Sequence, residues 1–341
     1  MKGSSPFSTR LLKAEPTTNG ADGSPLNDEY FLSLLPASYR TDSDNLAPSS
    51  GDITACIEKE LDLRRLNKVF GWLWMVGRPM PPRPLHHQVL LGREIFVTEQ
   101  MDMHLVWTTG RMFLKPIPRF LLEPHFWSRY LTSDQIHLCS GTAGAGDTTR
   151  CQHNTLEKGA LGFLFSYAAL ITYENDLWLA KEMRLVPKEV EWSGWRTFVE
   201  QLDTEHIYPR VDPRFLYGEL RLSRLNKIYA LSQWPFRSYM EKWQRYRSFF
   251  RDNIAWLASA TVYSAIILTA MQVGLATKSL GDNNAFQSAS YGFTIFSIVG
   301  PLAATGVVSL MFCYAFVRNL VLTMMYKKKR FRAMGLGSKT S

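Results

Sequence analysis

The chain has 341 residues, 46% hydrophobic and 20% charged, a composition that builds a core and excludes a wholly disordered protein. Its net charge of +9 lies largely beside the two most apolar segments, which directs the basic surplus toward a membrane surface and away from nucleic acid. Cys56, Cys139, Cys151 and Cys313 are too few and too scattered for a disulfide framework, so a reducing compartment is expected.

Residues 1–51 are rich in Ser, Thr, Pro, Gly and Asp and are expected to form a disordered arm, with DEYFLSLLP at 28–36 as its apolar island. No apolar core of secretory-signal length occurs there, and Glu15 and Pro16 cut short a presequence-like run containing Lys2, Arg10 and Lys13. A cytosolic, mainly helical domain with a minor β or irregular segment is expected over 52–252.

Within that domain ELDLRRLNKVF (60–70) returns as ELRLSRLNKIY (219–229), with seven of eleven positions identical. Helical spacing puts Leu63, Leu66, Val69, Phe70 and Leu73 on one arc and Arg64, Arg65 and Lys68 opposite. The second copy sets Leu222, Leu225, Ile228 and Tyr229 against Arg224 and Lys227 in the same way. Arg64, Lys68, Arg224 and Lys227 are therefore candidate contacts for anionic lipid or an acidic protein partner.

GRPMPPRP at 77–84 must leave helical geometry, and VLLGREIFVTEQ at 89–100 reads as a strand. Glu99, Asp102 and His104 offer acid and base groups, with Arg93, Arg111 and Lys115 as nearby partners; ion pairs that organise the fold are the alternative use. KPIPRFLLEPHFW at 115–127 predicts irregular structure and a short helix. GTAGAGDT at 141–148 has the glycine spacing of a phosphate loop, but Asp147 stands where a lysine is needed and repels phosphate, so a mobile loop is expected. Around it His137, Cys139, Cys151 and His153 form a mirrored pair of i, i+2 steps that an extended backbone could converge on zinc.

Asn154 with Glu157 has the form of a capping box, predicting a helix from near Thr155 to about Arg184. Its uncharged stretch, 159–173, rises only about 22 Å against a hydrocarbon core of ~30 Å, so a buried helix is expected. A further amphipathic helix follows at 191–202 through Trp195, Phe198, Val199 and Leu202.

Segments 253–277 and 291–317 carry no formal charge, and each exceeds the ~20 apolar residues that cross a bilayer. Two transmembrane helices are predicted, joined by a short non-cytosolic loop at 278–290 and followed by a basic tail at 318–341. Lys242, Arg245, Arg247 and Arg251 before the pair, and Arg318, Lys327, Lys328, Lys329, Arg330 and Arg332 after it, outweigh the loop's Lys278 and place both termini in the cytosol. Lys327, Lys328, Lys329 and Arg330 are further candidate lipid contacts. Tyr239, Trp243, Tyr246 and Phe250 make one aromatic face, suited either to the headgroup zone or to packing on the preceding domain. Gly300-Pro301 should kink the second span, and Gly300 and Gly306 permit close helix approach. An endomembrane such as the endoplasmic reticulum is the expected location, with the mitochondrion as alternative.

No GxSxG elbow, HExxH helix or GxGxxG turn occurs, so no catalytic residue, cofactor or nucleic-acid partner is expected. REIFVTEQMDMHLVW, FLKPIPRFLLEPHFW, ALGFLFSYAALITYENDL, GELRLSRLNKIY and the two apolar segments together resemble a family of uncharacterised fungal membrane proteins defined by a domain of unknown function, over about 55–325. The resemblance implies fold and membrane context and supplies no catalytic residues. The expected function is a non-enzymatic, membrane-tethered binding or scaffold domain, able to form homo-oligomers. The alternative is a two-span channel or transporter subunit with a layout similar to CorA-type magnesium channels, although the Gly-Met-Asn motif of that class is missing.

Overall fold

The computed structural model describes residues 5–12, 28–132, 146–232, 239–240 and 246–333. It divides into two units, Met1–Met240 and Glu241–Ser341. The first holds helices α1 (Asp28–Ser33), α2 (Ile53–Glu60), α3 (Arg64–Asn67), α4 (Leu85–Leu90), α5 (Pro124–Phe126), α6 (Gly146–Leu170), α7 (Glu174–Glu182), α8 (Trp192–Gln201) and α9 (Leu222–Ser232). Strands β1 (Ser38–Arg40) and β2 (Leu46–Pro48) pair as a hairpin. Strands β3 (Glu94–Val97), β4 (Val106–Thr108), β5 (Arg111–Leu114) and β6 (Leu220–Arg221) form a sheet in the order β3-β5-β4-β6.

Strands β4 and β5 run antiparallel, and β3 and β6 flank them in parallel. Val106, Met112, Leu114 and Leu220 are buried, whereas Trp107 is half-buried and Arg111 and Arg221 are exposed. Helix α6 packs beside the buried layer, where the Phe163 ring meets His104 at 4.6 Å and the Tyr167 hydroxyl donates to the Lys115 carbonyl at 2.5 Å. Its uncharged run is buried as expected, with Ala160, Phe163, Leu164, Tyr167 and Leu170 at 0% exposure.

The limits of that helix differ from the expectation. It begins at Gly146, so Asn154 lies inside it and not at its start, and it ends at Leu170, well short of Arg184. The break has a physical cause in the buried Asp176 carboxylate. This group accepts from Thr172 N, Thr172 Oγ1 and Tyr173 N at 3.1–3.3 Å, holding the backbone in a cap from which α7 restarts.

The disorder expected over 1–51 does not describe residues 5–12 or 28–51. Phe7 is buried edge-on against Phe198 at 4.8 Å, Phe31 against Phe126 at 5.9 Å, and Ser8 N and Thr9 N donate to the Gln201 side chain. A fully buried Phe contributes about 1.5–3 kcal/mol, which offsets ordering costs of roughly 1–2 kcal/mol per residue that a polar composition alone would not recover. Residues 1–4 and 13–27 lie outside the described residues.

The repeated segment does not form the same helix twice. In the first copy α2 stops at Glu60, Leu61 caps it, and α3 and a 3-10 turn (Phe70–Met75) follow. In the second copy the same positions form strand β6 and then the unbroken α9. The difference falls where Asp62 aligns with Arg221. Asp62 Oδ1 accepts from Arg64 N at 2.9 Å and starts α3, whereas Arg221 N donates to the Val76 carbonyl and Leu220 N to the Leu105 carbonyl, drawing the chain into the sheet.

Both leucine arcs face inward: Leu63, Leu66, Val69, Leu222 and Leu225 are buried. Arg65 departs from the predicted basic face and turns in to Asp102 Oδ2 at 2.9 Å, to the Tyr239 carbonyl, and over the rings of Tyr239 (4.5 Å) and Tyr229 (5.8 Å). The Tyr239 hydroxyl donates to the Asp102 carbonyl at 2.8 Å, and Met240 N donates to Asn226 Oδ1 at 3.1 Å. The two copies thus converge on Tyr239 and Met240. Tyr239 is buried in the first unit, so it is unavailable to the headgroup zone; Trp243 lies outside the described residues.

The second unit holds α10 (Tyr246–Leu275), the short α11 (Lys278–Gly281) and α12 (Asn284–Ala333). The predicted 278–290 loop is largely helical, and its turn is closed by Asn283 Oδ1 accepting from Ala285 N and Phe286 N. Helix α12 runs through Pro301 and continues across the basic stretch predicted as a tail. Close approach occurs at Gly274, where a Cβ would lie 2.8 Å from the Phe286 ring. Gly306 has nothing within 4 Å, and Gly300 meets only Phe296 of its own helix. Two stretches, Ala258–Leu275 and Asn284–Arg332, are long and apolar enough to cross a membrane, and neither is buried within the structure.

Candidate functional site

The acid and base groups singled out in the sequence do not converge. Lys115 N donates to His104 Nδ1 at 3.2 Å, so Nε2 carries the proton and donates to Ser166 Oγ at 2.8 Å, which itself donates to the Phe163 carbonyl. A His acting as base toward that serine needs the opposite tautomer. Burial, with Arg214 and Lys115 nearby, pushes the His104 pKa well below the usual range and keeps the ring neutral. Asp102 is taken by Arg65, and the Lys115 ammonium by Glu60 Oε2 at 2.6 Å, with Glu99 Oε2 at 3.5 Å. Arg111 stacks over Phe96. These groups hold the core together.

A different cluster opens to solvent. It is a cavity of about 570 Å³ beside strands β4 and β6, lined by Arg78, Arg83, Arg93, Arg221, Arg224, Glu219, Trp74, Trp107 and Met80 among others. Strand pairing builds its floor, because the register sets Trp107 of β4 against Arg221 of β6. The Trp107 ring carries Arg93 at 4.2 Å and Arg221 at 5.2 Å. Its wall is residues 77–82, pressed onto the chain ahead of β6. A Cβ on Gly77 would lie 2.8 Å from the Glu219 carbonyl oxygen, and one on Gly218 would lie 2.5 Å from that of Met80, so neither position accepts a side chain.

Glu219 is the single carboxylate among five arginines in this lining. It accepts from Arg83 Nε (2.8 Å) and Nη2 (2.6 Å), Arg93 Nη1 (2.6 Å) and Gln88 Nε2 (2.8 Å). Burial acts to raise its pKa, but the hydrogen bonds from Arg83, Arg93 and Gln88 outweigh it and hold the value at about 2. Its charge is therefore committed. Arg78, Arg221 and Arg224 remain exposed, and among the described residues no carboxylate lies within ion-pair distance of them; Arg224 donates to the Met75 carbonyl at 3.1 Å. A preformed pocket with surplus guanidinium donors and an indole floor suits an anion, and a phosphate above all.

Of the predicted partner-facing residues, Arg224 enters this pocket. Arg64 is engaged by Asp62 at 2.7 Å, whereas Lys68 and Lys227 are exposed. Lys327, Lys328 and Lys329 are exposed on α12 in the other unit, where Arg330 is half-buried. Of the zinc candidates, His137 and Cys139 lie outside the described residues. Cys151 and His153 fall within α6, so the extended backbone their pairing required is helical at this end. Among the described residues no group of three or more His, Cys, Asp or Glu is placed to hold a metal.

A profile of the family of unknown function DUF6601 matches residues 53–301, well over half of the chain. The chain belongs to this family. The DUF6601 match contains every residue that lines the pocket, and it runs through α10 as far as Pro301 in α12. No curated protein and no solved structure matches the chain.

Proposed function

We propose that this DUF6601 protein is an integral membrane protein, anchored by α10 and α12, whose first unit is a non-enzymatic domain that binds an anionic group in the arginine pocket. The anchor rests on exposed apolar length: Val262, Ile266, Leu302 and Leu310 are each more than 60% exposed along helices with no buried apolar stretch, a surface that water disfavours and lipid accepts. The excess of basic residues flanking the pair over Lys278 favours both termini on the cytosolic side.

The observation that carries the binding role is the charge imbalance at the pocket. Glu219 is neutralised by Arg83 and Arg93, which leaves Arg78, Arg221 and Arg224 as donors around one cavity. Inorganic pyrophosphate titrated into the full chain in a neutral detergent should bind saturably. Arg221→Gln with Arg224→Gln should weaken it by at least about a hundredfold, in line with two charge-assisted hydrogen bonds of roughly 1.5–3 kcal/mol each. No binding at millimolar pyrophosphate sinks the pocket reading. Release of the full chain from membranes by alkaline carbonate sinks the anchor.

A further inference from the structure

We infer that the anion is a phosphorylated lipid headgroup, and that Trp72, Trp74, Met75 and Met80 enter the bilayer interface as the pocket takes it. This rests on the anion-binding reading above. The 3-10 turn Phe70–Met75 has three residues per turn, so burial of Leu73 turns its neighbours outward: Trp72 is 51% exposed, Trp74 63% and Met75 41%. Met80, across the pocket wall, is 43% exposed. Large rings and thioethers left in water are unfavourable unless something covers them.

Two of these four residues also form the rim of the cationic pocket. Trp74 and Met80 line it together with Arg78, Arg221 and Arg224, and Arg224 holds the Met75 carbonyl that ends the turn. A soluble anion would satisfy the arginines and leave this apolar fringe wet. A phosphorylated lipid satisfies both, because the headgroup presents phosphate oxygens to the guanidinium forks while the glycerol and upper acyl zone receives indole and methionine side chains. Tryptophan favours that depth, where its ring is apolar and its N–H finds water or ester oxygens. Charge and shape therefore select an anionic membrane surface as the occupant.

The test uses the full chain in nanodiscs of phosphatidylcholine with brominated acyl chains, with or without about 20 mol % phosphatidylinositol 4-phosphate. The readout is the tryptophan fluorescence quenched by bromine in wild type but not in Trp72→Phe/Trp74→Phe. That component should appear with the phosphorylated lipid and fall at least about fivefold in Arg221→Gln/Arg224→Gln, each basic residue being worth roughly 1 kcal/mol at an anionic surface. Circular dichroism melts of the exposed-site variants within a few degrees of wild type establish that they fold. Equal quenching with and without the phosphorylated lipid overturns the inference. If pyrophosphate still binds in that case, the pocket takes a soluble anion and the anion-binding reading stands. If neither ligand engages, both readings fall together.

Discussion

Replacing Glu219 by Gln removes the one charge that gathers Arg83, Arg93 and Gln88 beneath the pocket. The carboxylate accepts four side-chain hydrogen bonds of 2.6–2.8 Å, and an amide oxygen offers fewer sites while its NH₂ meets guanidinium donors. The wild-type pKa of about 2 against an ordinary 4.5 corresponds to about 3 kcal/mol at 1.36 kcal/mol per pH unit, which partial solvent exposure of Arg83 reduces to about 2 kcal/mol. Because the folded value lies below the unfolded one, this stability is fully present above pH 4.5 and is lost as pH falls toward 2. At about 2–4 °C per kcal/mol for a unit of this size, Glu219→Gln should lower the melting midpoint of the full chain in detergent by about 4–8 °C at pH 7. The deficit should shrink as both proteins are taken from pH 5 to pH 3. A midpoint within 1 °C of wild type at pH 7, or a deficit that persists unchanged at pH 3, refutes the reasoning.

Gly218→Ala should destabilise by about 1–3 kcal/mol, because its Cβ would meet three backbone atoms at 2.5–2.9 Å, whereas Gly159→Ala in α6 meets only Leu63 at 3.7 Å and should stabilise by up to about 1 kcal/mol; denaturant midpoints of the pair decide it. His104 is held neutral when folded and binds a proton only when unfolded, so stability should fall by about 1.4 kcal/mol per pH unit below its ordinary 6.5, and His104→Gln should flatten that slope. Leu66→Asp and Leu225→Asp, each at a 0% exposed position, should cost at least about 3 kcal/mol, while Lys68→Glu and Lys227→Glu should leave the melt unchanged; the reverse pattern would mean that the faces are misassigned. A glycosylation acceptor in a lengthened 278–290 segment should be modified in a secretory-pathway membrane and one after Lys339 should not; glycan on the tail alone reverses the orientation.

Local pattern made part of this molecule legible. The buried run in α6, the leucine arcs of the repeat and the two apolar C-terminal segments follow from periodicity and length, quantities that a short window carries in full. The pocket does not, because its floor depends on β6 pairing with β4 across more than a hundred residues, and no local signal links Trp107 to Arg221. The arginine and tryptophan content of 72–93 was the available hint. Composition assigns Phe7 to a polar tract and leaves Phe31 in an apolar island of a disordered arm because it averages over neighbours, whereas burial acts on single side chains. Arg65 was misplaced for a related reason. Helical spacing sets its direction, but the buried Asp102 and two tyrosine rings attract it inward more strongly than solvent holds it out.

The convergence of both repeat copies on Tyr239 and Met240 has a mechanical meaning. Tension travelling along the backbone from α10 reaches Met240 and Tyr239 before any helix or strand of the first unit. There it divides among Asn226 of one copy, Arg65 of the other and the Asp102 carbonyl. These restraints stand in parallel, so the load is shared and α9 is not peeled away one turn at a time. The near-identical segments, far apart in sequence, act as two jaws of a strain relief at the point where the domain hands its chain to the helical pair.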